Sequence, residues 1–385
     1  MDEIRRVCLS EISELITKGT TPTTIGYEFQ ESGINFLKIE CFDENGTFIE
    51  SKAAHISEGC NKQLKRSQLK AGDILFSIAG AIGRVAIVTE EMLPANTNQA
   101  LAIIRITRDD VYLPYVKLIL TSPLIKAQFE HKKQGVAQLN ISLKDINDLE
   151  IPLPGIKQQI ALSELFAKVN RVISARQDQL HALDTLIKAR FVEMFGDVEQ
   201  EDTLLNLCNI IDYRGKTPEK VEDGLPFITA KNVRMHQLSI EPREYISKEV
   251  YDSVMTRGFP REGDVVFTTE APLGNVCRLP HFDTEFYVGQ RIVTLQTEKL
   301  APAYLEYALD TDEFRRKVEG KSSGSTVTGI RVRLLEQLTI PVPNRASQEQ
   351  FAAFVSQVDK SKLSIQQGLE KLETLKKSLM QQYFG

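Results

Sequence analysis

The feature that most constrains this chain is the stretch 156–196, where an apolar residue recurs every three or four positions without an internal Pro or Gly. This spacing predicts one long helix that ends at Gly196. Positions seven apart form an uninterrupted apolar seam, which consists of Phe166, Ile173, Leu180, Ile187 and Met194. The interleaved seam is interrupted by Arg176 and Arg190. A heptad repeat of this kind is typical of a coiled coil.

A second long helix is predicted at 347–385, and it ends on the same Phe-Gly pair as the first. Here the other seam is uninterrupted, and it consists of Phe351, Val358, Ile365, Leu372 and Leu379. A parallel, in-register pair would place Lys362 and Lys376 against Ile173 and Ile187. An antiparallel pair brings the two uninterrupted seams together and leaves the charged side chains at the flank, where their stems reach water. The sequence therefore predicts an antiparallel coiled coil with approximate two-fold symmetry.

The repeat extends beyond the helices. Positions 115–196 align without a gap with 304–385, and 20 of the 82 pairs are identical. Further upstream the offset becomes 191, so that Gly72 and Asp73 match Gly263 and Asp264. We therefore predict an α+β chain made of two similar modules, each a globular part followed by a long helix. The expected boundaries are 1–154 and 200–343 for the globular domains, and 155–199 and 344–385 for the helices.

Composition limits the classes of protein that remain. The chain has 385 residues, of which 42% are hydrophobic and 26% charged, as in a protein of two globular domains. Neither a signal peptide nor an apolar run long enough to span a membrane is apparent, and the five cysteines show no CxxC pairing. A cytoplasmic location is expected. The net charge of −5 argues against DNA binding without excluding it, because local clusters of Lys and Arg decide such binding.

The sequence offers no motif for catalysis. It lacks a phosphate-binding GxxxxGK[ST] loop, an HExxH zinc motif, a GxSxG nucleophile turn and the Asn/Asp-Pro-Pro-aromatic segment of amino-methyltransferases. Its five histidines show no ligand spacing. We therefore expect no catalytic residue, no metal site and no bound cofactor in this chain.

Polar and basic residues recur at loop positions of both modules, and this mixture suits contacts with phosphates and base edges. In module 1 the candidates are Lys18, Thr20, Thr21, Arg84, Asn98, Gln99, Lys132, Lys133, Gln138 and Asn140. In module 2 they are Arg214, Lys216, Thr217, Lys231, Asn232, Arg234, Asn275, Arg278, Gln290, Arg291, Lys321, Ser323, Ser325 and Arg331. Any one of them could simply lie on a solvated face. The loops differ between the modules, as expected if two similar domains read different DNA sequences.

With these features, the whole chain resembles the specificity subunits of Type I restriction–modification systems. The resemblance rests on the order of the repeats, on Lys-Gly-Thr-Thr-Pro at 18–22 and Gly-Lys-Thr-Pro at 215–218, and on Gly72-Asp73 with Gly80 and Gly83. It also rests on Asn98-Gln99 and on the Ile-Pro-Leu-Pro connector that precedes a Gln-rich helix start. One departure is Gly155-Ile156, where the family has a second Pro-Leu, and we expect it to affect only the start of the helix.

The resemblance implies that each globular part is a target recognition domain that reads one half of a bipartite site in double-stranded DNA. The helices would set the spacer and dock two modification subunits, which bind S-adenosylmethionine and methylate an adenine in each half-site. Restriction subunits would use ATP and Mg for translocation and cleavage, so this chain would itself be non-catalytic. Two alternatives remain: a two-lobed scaffold protein that binds no DNA, and a self-contained methyltransferase, which the missing motifs disfavour.

Overall fold

The computed structural model describes residues 5–130, 141–213, 218–289, 291–324 and 328–384. The chain divides into two compact units, of which unit 1 is Met1–Arg176 with Gly368–Gly385 and unit 2 is Gln177–Gln367. Each unit contains one globular part and a portion of both long helices. The division therefore cuts both helices, whereas the sequence suggested boundaries at their ends.

In the part of unit 1 that the structure describes, helices surround three small sheets. Its strands are β1 (Arg5–Cys8), β2 (Leu15–Lys18), β3 (Ile34–Leu37), β4 (Ala54–Ile56), β5 (Ile74–Ser77), β6 (Val85–Ile87), β7 (Ala95–Thr97), β8 (Leu101–Arg105) and β9 (Glu150–Leu153). Its helices are α1 (Leu9–Ile12), α2 (Glu58–Gln63), α3 (Leu113–Leu120), α4 (Pro123–Glu130), α5 (Leu143–Asn147) and the first part of α6 (Ile156–Phe195). The sheet orders are β2-β8-β5-β6, β4-β3-β7 and β1-β9. All pairs are antiparallel except β3 with β7.

Unit 2 repeats this arrangement. Its strands are β10 (Glu201–Thr203), β11 (Asn209–Asp212), β12 (Leu225–Ile228), β13 (Val233–Arg234), β14 (Gln237–Leu238), β15 (Tyr245–Ile246), β16 (Val265–Thr268), β17 (Val276–Arg278), β18 (Tyr287–Val288), β19 (Ile292–Gln296) and β20 (Thr339–Pro341). Its helices are α7 (Leu204–Leu207), α8 (Lys248–Val254), α9 (Pro302–Ala308), α10 (Asp312–Lys321), α11 (Val332–Leu335) and most of α12 (Arg345–Phe384). The sheet orders are β11-β19-β16-β17, β15-β12-β18 and β10-β20, together with the hairpin β13-β14.

The two units therefore share one strand order, which confirms the predicted α+β fold with two similar modules. The long helices are also confirmed, with α6 ending at Phe195 and α12 beginning at Arg345 rather than at 347. The central strands of unit 1 are buried on both faces, because Ile74 and Phe76 lie in one hydrophobic core and Leu75 in another. Burial on both faces explains why these strands appear in the sequence as continuous apolar runs.

Within each unit, the start of one long helix packs against the end of the other. In unit 1 the rings of Phe166 and Phe384 lie 5.8 Å apart, and in unit 2 those of Phe191 and Phe351 lie 5.4 Å apart. Among the predicted seam residues, Phe166, Ile187, Phe351 and Val358 are buried, whereas Ile173, Leu180, Met194, Ile365, Leu372 and Leu379 are partly exposed.

Candidate nucleic-acid interface

In unit 1, the predicted DNA-contacting residues gather at one edge of the four-stranded sheet. Because neighbouring strands are antiparallel, the end of β2, the turn from β5 to β6 and the start of β8 meet there, with Lys18 opposite Ala102 and Ser77 opposite Leu101. We call residues 18–21, 78–84 and 98–100 edge 1. The six described candidates of module 1 all lie on it, namely Lys18, Thr20, Thr21, Arg84, Asn98 and Gln99.

Edge 1 is held together by short contacts between its loops. The backbone N–H of Gly19 donates to the carbonyl of Asn98 over 3.1 Å, and the hydroxyl of Thr21 donates to the amide oxygen of Gln99 over 2.5 Å. A Cβ added to Gly19 would lie 1.8 Å from the carbonyl oxygen of Thr97, so only glycine fits this approach. The Lys-Gly-Thr-Thr-Pro opening therefore places its threonines beside the Asn98-Gln99 loop.

The Gly-rich segment of edge 1 is a tight turn, as the sequence suggested. Gly80 and Gly83 have φ angles of 70° and 85°, which favour glycine, and Gly83 donates to the carbonyl of Ser77 over 3.0 Å. Ile141 donates its backbone N–H to the carbonyl of Ile78 over 3.0 Å, which places Ile141 beside this turn. The candidates Lys132, Lys133, Gln138 and Asn140 lie outside the described residues.

Unit 2 has the equivalent edge, comprising residues 269–275, 291, 323–324 and 328–330, which we call edge 2. Thr268 lies opposite Ile292, and Ile330 donates to the carbonyl of Thr269 over 2.9 Å, as Ile141 does to Ile78 in unit 1. Ser323 lies on edge 2, and Lys321 and Arg331 are exposed at its sides. The candidates Arg214, Lys216, Thr217, Gln290 and Ser325 lie outside the described residues.

Arg291 is the basic side chain at the centre of edge 2. It is 51% exposed, adopts a φ of 67° and places its Nε 3.3 Å from a carboxylate oxygen of Glu270. Its counterpart in edge 1 is Ala100, at the offset of 191. A guanidinium oriented by a neighbouring carboxylate is suited to planar, bidentate recognition.

The hairpin β13-β14 borders edge 2. The amide nitrogen of Asn275 donates to the carbonyl of Val233 over 2.8 Å, and the backbone N–H of His236 donates to the carbonyl of Val276 over 2.8 Å. Lys231 and Arg234 are exposed on this hairpin and the loop before it, with Lys231 Nζ 3.6 Å from Glu244. Asn275 thus positions the hairpin.

Two candidates lie away from the interface. Asn232 is 2% exposed; its amide oxygen accepts from Thr229, and its amide nitrogen donates to the carbonyls of Ser239 and Pro242. Arg278 donates to Glu306 over 2.5 Å and to Asp359 over 2.9 Å. Asn232 is thus buried and hydrogen-bonded within the unit, which the sequence did not indicate, because a polar residue near a turn is usually exposed. Arg278 keeps 32% of its side chain exposed, and its role as a DNA contact stays a prediction.

Sequence reasoning also missed two residues. Glu270 supports Arg291, and His236 forms the tip of the hairpin, where its φ is 58°. An isolated histidine carries no sequence signal of such a role. Among the described residues, no group of three His, Cys, Asp or Glu could hold a metal ion. None of the helices described is long and apolar enough to cross a membrane.

Both modules of the chain are similar to known proteins. The chain matches the family model of the Type I restriction modification DNA specificity domain over residues 1–188 and again over 200–376. It is 28% identical over 171 residues to the Type I restriction enzyme EcoBI specificity subunit of Escherichia coli, which covers 43% of this chain and 35% of that protein. It is 22% identical over 405 residues to the putative Type I restriction enzyme MjaX specificity subunit of Methanocaldococcus jannaschii, which covers 97% of this chain and 90% of that protein.

Solved structures show the same fold. A chain from a structure concerned with complex assembly and conformational transition of the type I R-M system matches with a TM-score of 0.61 at 19% identity, covering 100% of this chain and 98% of that one. The Type I restriction–modification S subunit from M. genitalium matches with a TM-score of 0.54 at 13% identity, covering 99% and 96%. Since the family model matches both modules and most of the chain, the resemblance found in the sequence is confirmed, and the protein belongs to the Type I restriction modification DNA specificity domain family.

Proposed function

We propose that this chain is the DNA-reading subunit of a Type I restriction–modification complex, with edge 1 reading one half of a bipartite site and edge 2 reading the other. The observation that carries the proposal is the repetition of one edge in two units with different side chains at equivalent places. Main-chain hydrogen bonds form the frame in both, through Ile141 and Ile330. The frame presents Gln99 and Ala100 in unit 1 but Arg291 in unit 2.

The chemistry of the two edges suggests different preferences. The amides of Asn98 and Gln99 match the N6 and N7 positions of adenine, whereas Arg291 matches the O6 and N7 acceptors of guanine. Lys18, Arg84 and the exposed Lys231 and Arg234 are suited to phosphates, which position a protein on DNA without reading sequence. The side chains at the two edges can therefore differ in specificity while the frame stays the same.

The two long helices act, in this proposal, as an antiparallel coiled coil with approximate two-fold symmetry that sets the spacer between half-sites. The antiparallel register of the two uninterrupted seams pairs Phe166 with Leu379 and Ile187 with Val358. In support of it, each of these pairs shares one hydrophobic core. The recognition domains would span 1–154 and 200–343, and the spacer helices 155–199 and 344–385.

Catalysis is assigned to partner subunits. Two modification subunits would bind S-adenosylmethionine and methylate one adenine in each half-site, and restriction subunits would supply ATP- and Mg-dependent translocation and cleavage. Such partners would also contribute positive charge along the DNA, which this chain with its net charge of −5 does not supply in bulk. We place the complex in the cytoplasm.

The test is to purify the chain with its cognate modification subunits and to map the adenines that the complex methylates. A bipartite, asymmetric site with salt-dependent binding is expected, because phosphate contacts release counterions. The absence of salt-dependent DNA binding would favour the two-lobed scaffold instead. Binding of S-adenosylmethionine by this chain alone would favour a self-contained methyltransferase.

A further inference from the structure

His236, at the tip of the hairpin that borders edge 2, occupies an unusual environment. Its side chain is 9% exposed, and its two ring nitrogens face two carboxylates. Nδ1 lies 3.0 Å from Glu306 and Nε2 lies 2.9 Å from Asp310, while the ring stacks on Tyr307 with centroids 4.1 Å apart. These contacts hold the hairpin tip against α9 and against Asp310, two residues beyond the end of that helix.

The geometry determines the protonation state of this histidine. Glu306 is paired with Arg278, and Asp310 is paired with Lys188 and Arg315. The burial of Asp310 is outweighed by hydrogen bonds from His236, Lys188 and Arg315, which lower the pKa of its carboxyl. A neutral imidazole has one N–H and would point its other lone pair at a carboxylate. Only the imidazolium donates to both. Burial by itself would lower the pKa of His236, but the hydrogen bonds to Asp310 and Glu306 outweigh it and raise the pKa.

Unit 1 has a corresponding contact, in which the helix carries the cation and the loop tip offers a neutral backbone carbonyl. Lys117 of α3 occupies the position of Glu306 at the offset of 189. Its Nζ donates over 2.6 Å to the carbonyl of Asn45, in the turn 43–47. A Cβ on Gly46 of that turn would lie 2.2 Å from the carbonyl oxygen of Val85, so the tip rests on the start of β6. In unit 2, His236 donates its backbone N–H to the equivalent residue, Val276.

From this we infer that each unit has a clamp that holds a loop tip against the sheet beside its edge, with His236 and Lys117 as positioning residues for DNA recognition. The inference rests on the proposed function. In unit 2 the clamp keeps the carbonyl of Val233 on Asn275, and so orients Lys231 and Arg234. In unit 1 it keeps the tip on Val85, next to Arg84 of edge 1.

The two clamps respond differently to pH. The titratable groups beside the ring of His236 are Glu306, Asp310 and the neutral Tyr307. Further charged groups are Arg278 of β17, Arg315 of α10, Lys188 of α6 and Asp359 of α12. Because its pKa is raised on folding, the contribution of His236 is complete below the unfolded pKa and is lost as pH rises through the folded pKa. Burial lowers the pKa of Lys117, yet a neutral amine still donates to the Asn45 carbonyl. Unit 1 is therefore an internal reference.

The experiment measures methylation by the complete complex on DNA carrying single mismatches in either half-site, from about pH 6 to about pH 9. For the wild type, we expect discrimination at the second half-site to fall as pH rises while discrimination at the first half-site persists. His236→Gln should reduce discrimination at the second half-site about tenfold at the acidic end and remove its pH dependence. Lys117→Met should impair the first half-site instead.

Two further variants make the test decisive. Glu306→Gln removes one carboxylate from the histidine and should move the pH midpoint of second-half-site discrimination downward. His281→Gln is the matched control, because His281 also lies between carboxylates, Glu262 and Asp283, but is exposed, and it should behave as the wild type.

Several results would overturn the clamp. These are unchanged second-half-site discrimination in His236→Gln, equal loss at both half-sites in that variant, or an unmoved midpoint in Glu306→Gln. A wild-type complex that discriminates at neither half-site would instead refute the proposed function, so the two failures are distinguishable.

Discussion

Units 1 and 2 have the same strand order but different side chains at equivalent positions. Edge 1 centres on the neutral pair of Thr21 and Gln99, whereas edge 2 centres on the ion pair of Arg291 and Glu270. The helical position that carries Lys117 in unit 1 carries Glu306 in unit 2. Main-chain hydrogen bonds hold the frame in both units, so side chains can change without altering the fold. Specificity in this architecture is therefore free to vary locally.

The largest effects are expected where residues of a long helix complete the hydrophobic core of each unit. Phe384→Ala should destabilise unit 1 and Phe351→Ala unit 2, each by about 3–5 kcal/mol, because both rings are fully buried among aromatic neighbours. Hydrogen exchange in β5 and β16 would report the two units separately. The neighbouring Tyr383→Ala, at a side chain 39% exposed, is the control and should have little effect. Equal loss of protection in both units from either variant would contradict their independence.

The next largest effect is expected from a single methyl group added at edge 1. Gly19→Ala would place a Cβ against the main-chain carbonyl of Thr97, where the backbone would have to move. We therefore expect the free energy of unfolding to fall by about 1–3 kcal/mol and recognition of the first half-site to be impaired. Thermal unfolding and half-site methylation would measure both. Gly155→Ala meets no atom within 4 Å and should behave as the wild type. A tolerated Gly19→Ala would show that the approach of the two loops is not required.

Base contacts should produce smaller and one-sided effects. Arg291→Ala should cost about 1–3 kcal/mol of discrimination at the second half-site only, and Gln99→Ala should do the same at the first. Binding to DNA with each base pair of the site varied in turn would assign the position. Arg316→Ala, an exposed arginine of α10, serves as the control. A uniform loss over all sequences would identify Arg291 as a phosphate contact instead.

The smallest effect is expected at the charged positions of the helix seams. Lys362 pairs with Asp184, and half-exposed pairs of this kind contribute roughly 0–1 kcal/mol. Lys362→Leu extends the apolar seam, so the free energy of unfolding should change by less than about 1 kcal/mol in either direction. Ile187→Lys is the contrast, since it would bury a charge at a site that is 0% exposed. Similar melting of the two variants would refute the antiparallel pairing of the seams.

The helices and the repeat could be predicted from the sequence because both depend on local spacing. Periodicity located α6, and the common offset located its counterpart α12. Other features depend on partners far apart in the chain. Phe191 and Phe195 lie off the predicted seam, yet both are buried because the end of α6 packs against Tyr304 of α9.

At the candidate site, the sequence predicted which loops come together but not which polar side chains are buried. Edge 1 gathers all of the described candidates of module 1, because the repeat placed them on loops at one end of the sheet. Asn232 is buried, which the sequence could not indicate, because a polar residue near a turn looks the same whether it faces solvent or satisfies buried groups. Its contacts with Ser239 and Pro242 show which case applies.

The composition of unit 1 has a consequence for biosynthesis. Unit 2 is one continuous stretch, whereas unit 1 is completed by Gly368–Gly385. A chain emerging from the ribosome therefore has all of unit 2 while unit 1 still lacks Met380 and Phe384, which complete the core around Phe166. Unit 1, although it begins first, is thus finished after unit 2, and a truncation that removes Gly368–Gly385 should damage unit 1 while sparing unit 2.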